Sequence, residues 1–141
     1  AYLDKLAAEP VTLAKADAAA LQSLRKNDSG KLRLVNFWAT WCAPCVAEFQ
    51  EFVTINRMYR HREFELVLVS LNNPDEERQV LAFLKKQQAS NQNLIFGSAE
   101  RDPLINAFNP QWSGVVPYTV LINPDGEIVY SEVDSIDAAK L

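Results

Sequence analysis

The sequence predicts an α/β fold, a three-layer sandwich whose mixed sheet has a parallel core and an antiparallel C-terminal hairpin. Three observations lead there. Strand-like apolar runs alternate with segments of helical period along most of the chain. The run 64–71 (FELVLVSL) is apolar almost without interruption, as a strand covered on both faces must be. The only two cysteines, Cys42 and Cys45, stand two residues apart where a strand pattern gives way to a helix pattern.

Residues 1–10 carry no clear period and end in Glu9-Pro10. Over 11–27 the pattern predicts a helix, with Thr12 as N-cap and Leu13, Ala16, Ala20, Leu21 and Leu24 at helical spacing. Asn27-Asp28-Ser29-Gly30 stops it. Residues 32–38 read as a strand, apolar on both faces except at Asn36. The next helix runs over 43–59, with Val46, Phe49, Phe52, Val53 and Ile55 as a broad apolar face. Arg57, Arg60, His61 and Arg62 crowd its end, where positive charge suits the helix dipole. After the strand at 64–71, Asn72-Asn73-Pro74-Asp75 opens a helix that reaches about 88, with Val80, Leu81, Phe83 and Leu84 inward. A polar loop over 89–93 leads to a short strand at 94–96. Asp102-Pro103 predicts an N-cap with proline at the first helical position, and a short helix ends at Phe108. A strand lies within 114–123, Asn123-Pro124-Asp125-Gly126 is a tight turn, and 127–133 returns as a hairpin. Ser135 onward reads as the first turn of a closing helix. The predicted order is thus α-β-α-β-α-β-α-β-β, followed by that last turn.

A chain of 141 residues is expected to fold as one domain with a sizeable core, its first 30 or so residues being an extension and a helix. It is 48% hydrophobic and 23% charged, an ordinary globular balance. The net charge of −4 leaves no basic footprint for nucleic acid. Apolar runs are too short to span a bilayer. The chain begins at Ala1 rather than Met, which fits a leader or membrane anchor removed from it. A lone Cys-x-x-Cys serves redox work in cytosol and envelope alike, so the cysteines do not assign the compartment.

The chemistry is concentrated in Cys42 and Cys45. A helix's first turn exposes unpaired N–H groups and positive potential. Thiolate is the nucleophilic form of cysteine, and that potential favours it on Cys42. Cys45 follows about one turn later, within reach of a disulfide. Pro44 lies in the first turn, where its missing N–H costs nothing. Two bland readings compete. The pair could be inert core cysteines. It could be half of a zinc site, but zinc wants four ligands and His61 is the only histidine. No metal or other cofactor is expected beyond the redox-active cysteine pair.

Val35-Asn36-Phe37-Trp38-Ala39-Thr40-Trp41-Cys42-Ala43-Pro44-Cys45 resembles the thioredoxin superfamily, and within it the envelope thiol–disulfide oxidoreductases of the TlpA/ResA type. The resemblance extends more weakly from about 32 to about 134. It implies a thioredoxin-like sandwich with a helix–strand insert near 74–98 and a truncated closing helix. It implies Cys42 as nucleophile, Cys45 as resolving thiol, and a cis bond between Val116 and Pro117 facing them. The backbone before that proline would pair with an extended substrate segment. Tyr118 stands where the family usually has Thr, so the rim's polarity is expected to differ. Trp41, Pro44, Val116, Pro117 and Tyr118 are the expected substrate-binding residues, with Trp38 and Asn36 in support. Trp112 has two readings, rim or buried packing.

Asn36 replaces the aspartate that in thioredoxin takes a proton from the resolving cysteine. That leaves Asp75, Glu76 or water as acceptor. By resemblance the protein reduces protein disulfides in the bacterial periplasm or cell envelope, fed by a membrane thiol donor, on cysteine-containing proteins such as apocytochromes awaiting haem. The cytoplasm is the alternative location. The alternative function is a thioredoxin-like binding module of a larger envelope protein with little turnover. A peroxiredoxin would want Thr three residues before its reactive cysteine, where this chain has Ala39.

Overall fold

A computed structural model describes residues 9–134. Six strands form one mixed sheet in the order β1-β4-β3-β2-β5-β6. The strands are β1 (Ala14–Ala16), β2 (Leu32–Trp38), β3 (Phe64–Ser70), β4 (Gln92–Phe96), β5 (Tyr118–Ile122) and β6 (Ile128–Val133). The helices are α1 (Ala18–Lys26), α2 (Ala43–Tyr59), α3 (Glu77–Lys86) and α4 (Asp102–Phe108), with a 3-10 turn at Pro74–Glu76 before α3. Strands β1, β4, β3 and β2 run parallel, β5 pairs antiparallel with β2, and β6 pairs antiparallel with β5. This is the thioredoxin-like sandwich, with the 3-10 turn, α3 and β4 as the insert.

Alternation along the strands divides the core. Val35, Phe37, Val67 and Val69 face a cluster with Leu21 and Leu24 of α1 and Leu104, Ile105 and Phe108 of α4. Leu34, Trp38, Leu66 and Leu68 face the other cluster, with Cys45, Phe49, Phe52 and Val53 of α2 and Val80 and Leu84 of α3. Both faces of β2 and β3 are therefore covered, which is why their sequences are nearly continuous in apolar residues.

The predicted helix over 11–27 is a strand followed by a shorter helix. Residues 14–16 pair in parallel with Leu94–Phe96 at the sheet edge. The N-cap is Asp17, not Thr12: its Oδ1 accepts from the Ala20 N–H at 2.9 Å. Alanine favours helix locally, but the sheet edge offers backbone partners that a helix through Ala16 would forgo, and Asp17 supplies the stronger start signal. The predicted element order therefore gains a strand at its front. Gly97 allows the close approach at that edge, since a Cβ there would meet the Ala16 carbonyl oxygen at 3.1 Å.

Smaller corrections follow the same logic. Strand β4 starts two residues before the predicted position because the Asn93 side chain, though buried, donates to the carbonyls of Ala89 and Asn91. Asp102 is the first residue of α4 and Arg101 is its N-cap. Val46, expected on the apolar face of α2, is exposed, and Glu48 and Asn56 are buried on that helix instead. The predicted closing helix lies outside the described residues.

Candidate active site

Strand β2 ends at Trp38, and a loop over 39–41 delivers the chain to Cys42, the N-cap of α2. Cys42 and Cys45 are joined in a disulfide with Cα atoms 5.3 Å apart. The Cys42 Sγ also accepts from the Cys45 backbone N–H at 3.3 Å. An amide of the first helical turn therefore points at the sulfur that must carry negative charge when the disulfide opens. Cys42 is 6% exposed and Cys45 1%, so an incoming sulfur meets Cys42 first.

The loop before Cys42 is pinned from the end of β3. Asn72 is fully buried. Its Oδ1 accepts from the Thr40 N–H at 3.0 Å and from the Ser70 hydroxyl at 2.6 Å. Its Nδ2 donates to Thr40 Oγ1 at 2.8 Å. Glu76, one of the expected proton acceptors, is engaged in a cap, its Oε1 accepting from the Asn73 N–H at 3.0 Å. Asp75 is exposed. Asn36 is buried, and its Nδ2 donates to Thr119 Oγ1 at 3.1 Å, joining β2 to β5.

The bond between Val116 and Pro117 is cis. Val116 packs against the cluster that holds both cysteines. The loop is propped from beneath: Trp112 is buried and its Nε1 donates to the Val115 carbonyl at 2.9 Å. Trp112 thus takes the packing role. Tyr118 does not reach the rim. It is 4% exposed, its ring stacks on Trp112 at 4.6 Å, and its hydroxyl accepts from Asn109 Nδ2. The physical reason is strand parity, because Tyr118, Val120 and Ile122 share the face turned to α1 and α4. Trp41 is 54% exposed and Val115 equally so, while Pro44 is exposed beside the disulfide. Trp38 is buried against Phe49 and Phe83.

Two side chains escaped the sequence reading. Glu48 is buried, three residues after Cys45 on α2 and thus on the same side of the helix. Its signal was present, since a carboxylate interrupts the stripe of Cys45, Phe49, Phe52 and Asn56. Arg101 lies over the Trp41 ring, a contact between distant residues that no local pattern announces.

Residues 6–139 match the redoxin family. The chain belongs to the redoxin family. Among its relatives is the thiol-disulfide oxidoreductase ResA of Halalkalibacterium halodurans, 31% identical over 71% of this chain and 52% of that protein. A thioredoxin-family thiol:disulfide interchange protein of Chlorobium tepidum has a similar structure, with a TM-score of 0.62 and 26% identity, covering 86% of this chain and 77% of that one. A DsbF homologue of Corynebacterium diphtheriae shares the fold with a TM-score of 0.69 at 16% identity, covering 80% of this chain and 69% of that one. This redoxin spans about half the length of the ResA relatives it matches. Its Cys42–Cys45 disulfide is a redox centre of the thiol–disulfide oxidoreductase kind, and it is of the TlpA/ResA type. Among the described residues, no group of three or more His, Cys, Asp or Glu could hold a metal ion, and no helix is long and apolar enough to cross a membrane.

Proposed function

We propose that the protein, as a single thioredoxin-like domain, reduces disulfides of cysteine-containing proteins in the bacterial periplasm or envelope. The observation that carries this is the Cys42–Cys45 disulfide at the start of α2, with the Cys45 amide directed at the Cys42 sulfur. In the dithiol form, the Cys42 thiolate attacks one sulfur of a substrate disulfide. A Cys42–substrate bond forms, and the other substrate sulfur leaves as a thiolate that takes up a proton. Cys45 then loses its proton and attacks the Cys42 sulfur. The second substrate thiol departs, two electrons have passed to the substrate, and the enzyme is left as the disulfide described above. A dithiol donor restores it, and a membrane thiol protein fills that role in this reading. The exposed Trp41, Pro44 and Val115 give the entering chain an apolar rim, and the backbone at Val116, before Pro117, offers it an extended partner.

Single-cysteine variants test the assignment. Cys45→Ser leaves attack intact and blocks release, so mixed disulfides should accumulate, all through Cys42. Cys42→Ser should trap little, because Cys45 is shielded. Expressed in a bacterial envelope, the Cys45→Ser form should hold client proteins and its electron donor on non-reducing gels, identified by mass spectrometry. Equal trapping by both variants would reverse or erase the roles assigned. Trapping by neither, where a control thioredoxin variant traps, would overturn the enzyme reading.

A further inference from the structure

The Arg101 guanidinium carbon sits 5.4 Å from the centroid of the Trp41 ring, over its face. The same guanidinium donates to Asn73 Oδ1 at 3.4 Å. Arg101 is the N-cap of α4, Asn73 opens the insert, and Trp41 abuts Cys42. Three separate segments therefore meet at one guanidinium. Trp41 is still 54% exposed, so the arginine covers part of the ring and leaves the rest to whatever approaches the disulfide.

We propose that Arg101 is a positioning residue for disulfide exchange with protein substrates. It holds a cation over the Trp41 ring and so keeps that ring in place beside Cys42, a preformed wall for an extended, cysteine-bearing segment. The proposal rests on the reductase reading above and adds a residue to it. A free indole on a surface loop samples several rotamers, and fixing it only when substrate arrives reduces affinity. Prior fixation by the cation removes that cost. The arginine does not create a basic patch: Glu100 and Asp102 flank it, and Asp75 and Glu76 follow Asn73. Its charge serves the ring rather than acidic substrates.

The test uses the full chain with Arg101→Met, which keeps length but not charge, and Arg101→Lys, which keeps charge. Insulin serves as the protein disulfide and hydroxyethyl disulfide as the small one. Loss of an exposed cation–π contact should raise KM for insulin about two- to five-fold in Arg101→Met. Its kcat, and its activity on hydroxyethyl disulfide, should stay near wild type, and Arg101→Lys should recover most of the loss. Acrylamide quenching of tryptophan fluorescence reports the ring itself, because Trp38 and Trp112 are 1% and 5% exposed and Trp41 alone is open. Quenching should rise in Arg101→Met and return in Arg101→Lys. The proposal is overturned by unchanged quenching, by an unchanged KM, by equal slowing of both substrates, or by a lysine variant as impaired as the methionine one. If the wild type reduces neither disulfide, the reductase reading fails instead, and the quenching series still decides whether the clamp exists.

Discussion

Cys42 and Cys45 share a disulfide but not an environment. Cys42 caps α2, and its sulfur accepts an amide hydrogen bond. Cys45 lies one turn inside and is almost fully buried, and as a free thiol it carries a proton. Resolution of the mixed disulfide needs that proton removed. Asn36 cannot take it, and its amide is spent on Thr119. Glu76 is held by the cap at Asn73, and Asp75 is open to solvent. Glu48 is a buried carboxylate three residues after Cys45, on the same side of α2. Glu48→Gln is expected to leave attack by Cys42 unchanged and to slow the resolving step, by about 10²-fold if the carboxylate acts as a general base. Rapid-quench measurement of mixed-disulfide lifetime across pH checks this, and an unchanged lifetime would hand the step to water. The reactive pair was legible because its spacing and its place before a helix carry the chemistry. Glu48 is harder to read, because a single carboxylate within the apolar stripe of α2 looks like a surface residue until the burial of that stripe is known.

At the scale of elements, long periodic segments were readable and short ones were not. Strand β2 and helix α2 occupy the residues their patterns predict, since burial on a face forces the period. Strand β1 is three residues long and alanine-rich, so its pairing with β4 leaves no local trace. The burial of Tyr118 could have been read from Val120 and Ile122, which share its parity, but the resemblance drew that residue to the rim. The insert's link to the reactive loop was also hidden, because Asn72 reads as a turn residue. In the fold it satisfies the Thr40 N–H and hydroxyl from the end of β3. Asn72→Ala should orphan buried polar groups and cost about 1–3 kcal/mol, read as a fall in the urea midpoint at unchanged slope. Since the lost contacts include both of those to Thr40 in the loop before Cys42, disulfide exchange at Cys42 should slow even where the protein remains folded. Normal exchange in a destabilised variant would confine Asn72 to stability.

Across the whole molecule, the sheet brings the reactive cysteines to one end of α2 and leaves the other end to be anchored. A groove of about 560 Å³ runs along that far half, lined in part by Leu32, Leu34, Ile55, Met58 and Phe64. Nearby, Glu9, ahead of β1, meets Arg60 at the C-cap of α2. The Arg60 guanidinium donates to both carboxylate oxygens, one of these bonds measuring 2.7 Å. This contact lowers the Glu9 carboxyl from its ordinary 4.5 to about 2, with smaller help from Ser90 and Arg57 and against the opposing effect of burial. The folded state therefore holds the charged form more tightly than the unfolded chain does. The resulting stabilisation is complete above about pH 4.5 and is lost as pH falls from there towards about 2. Both side chains are about a quarter exposed, so solvent screening limits the contribution to roughly 1 kcal/mol. Glu9→Gln should thus be less stable than wild type at pH 7, by about that amount, in urea unfolding. The gap should narrow steadily as the titration is repeated at lower pH, because protonation gives the wild type the same neutral side chain. A gap that stays constant from pH 7 down to about 2 would mean that packing of the side chain, and not its charge on Arg60, fastens the N-terminal segment to α2.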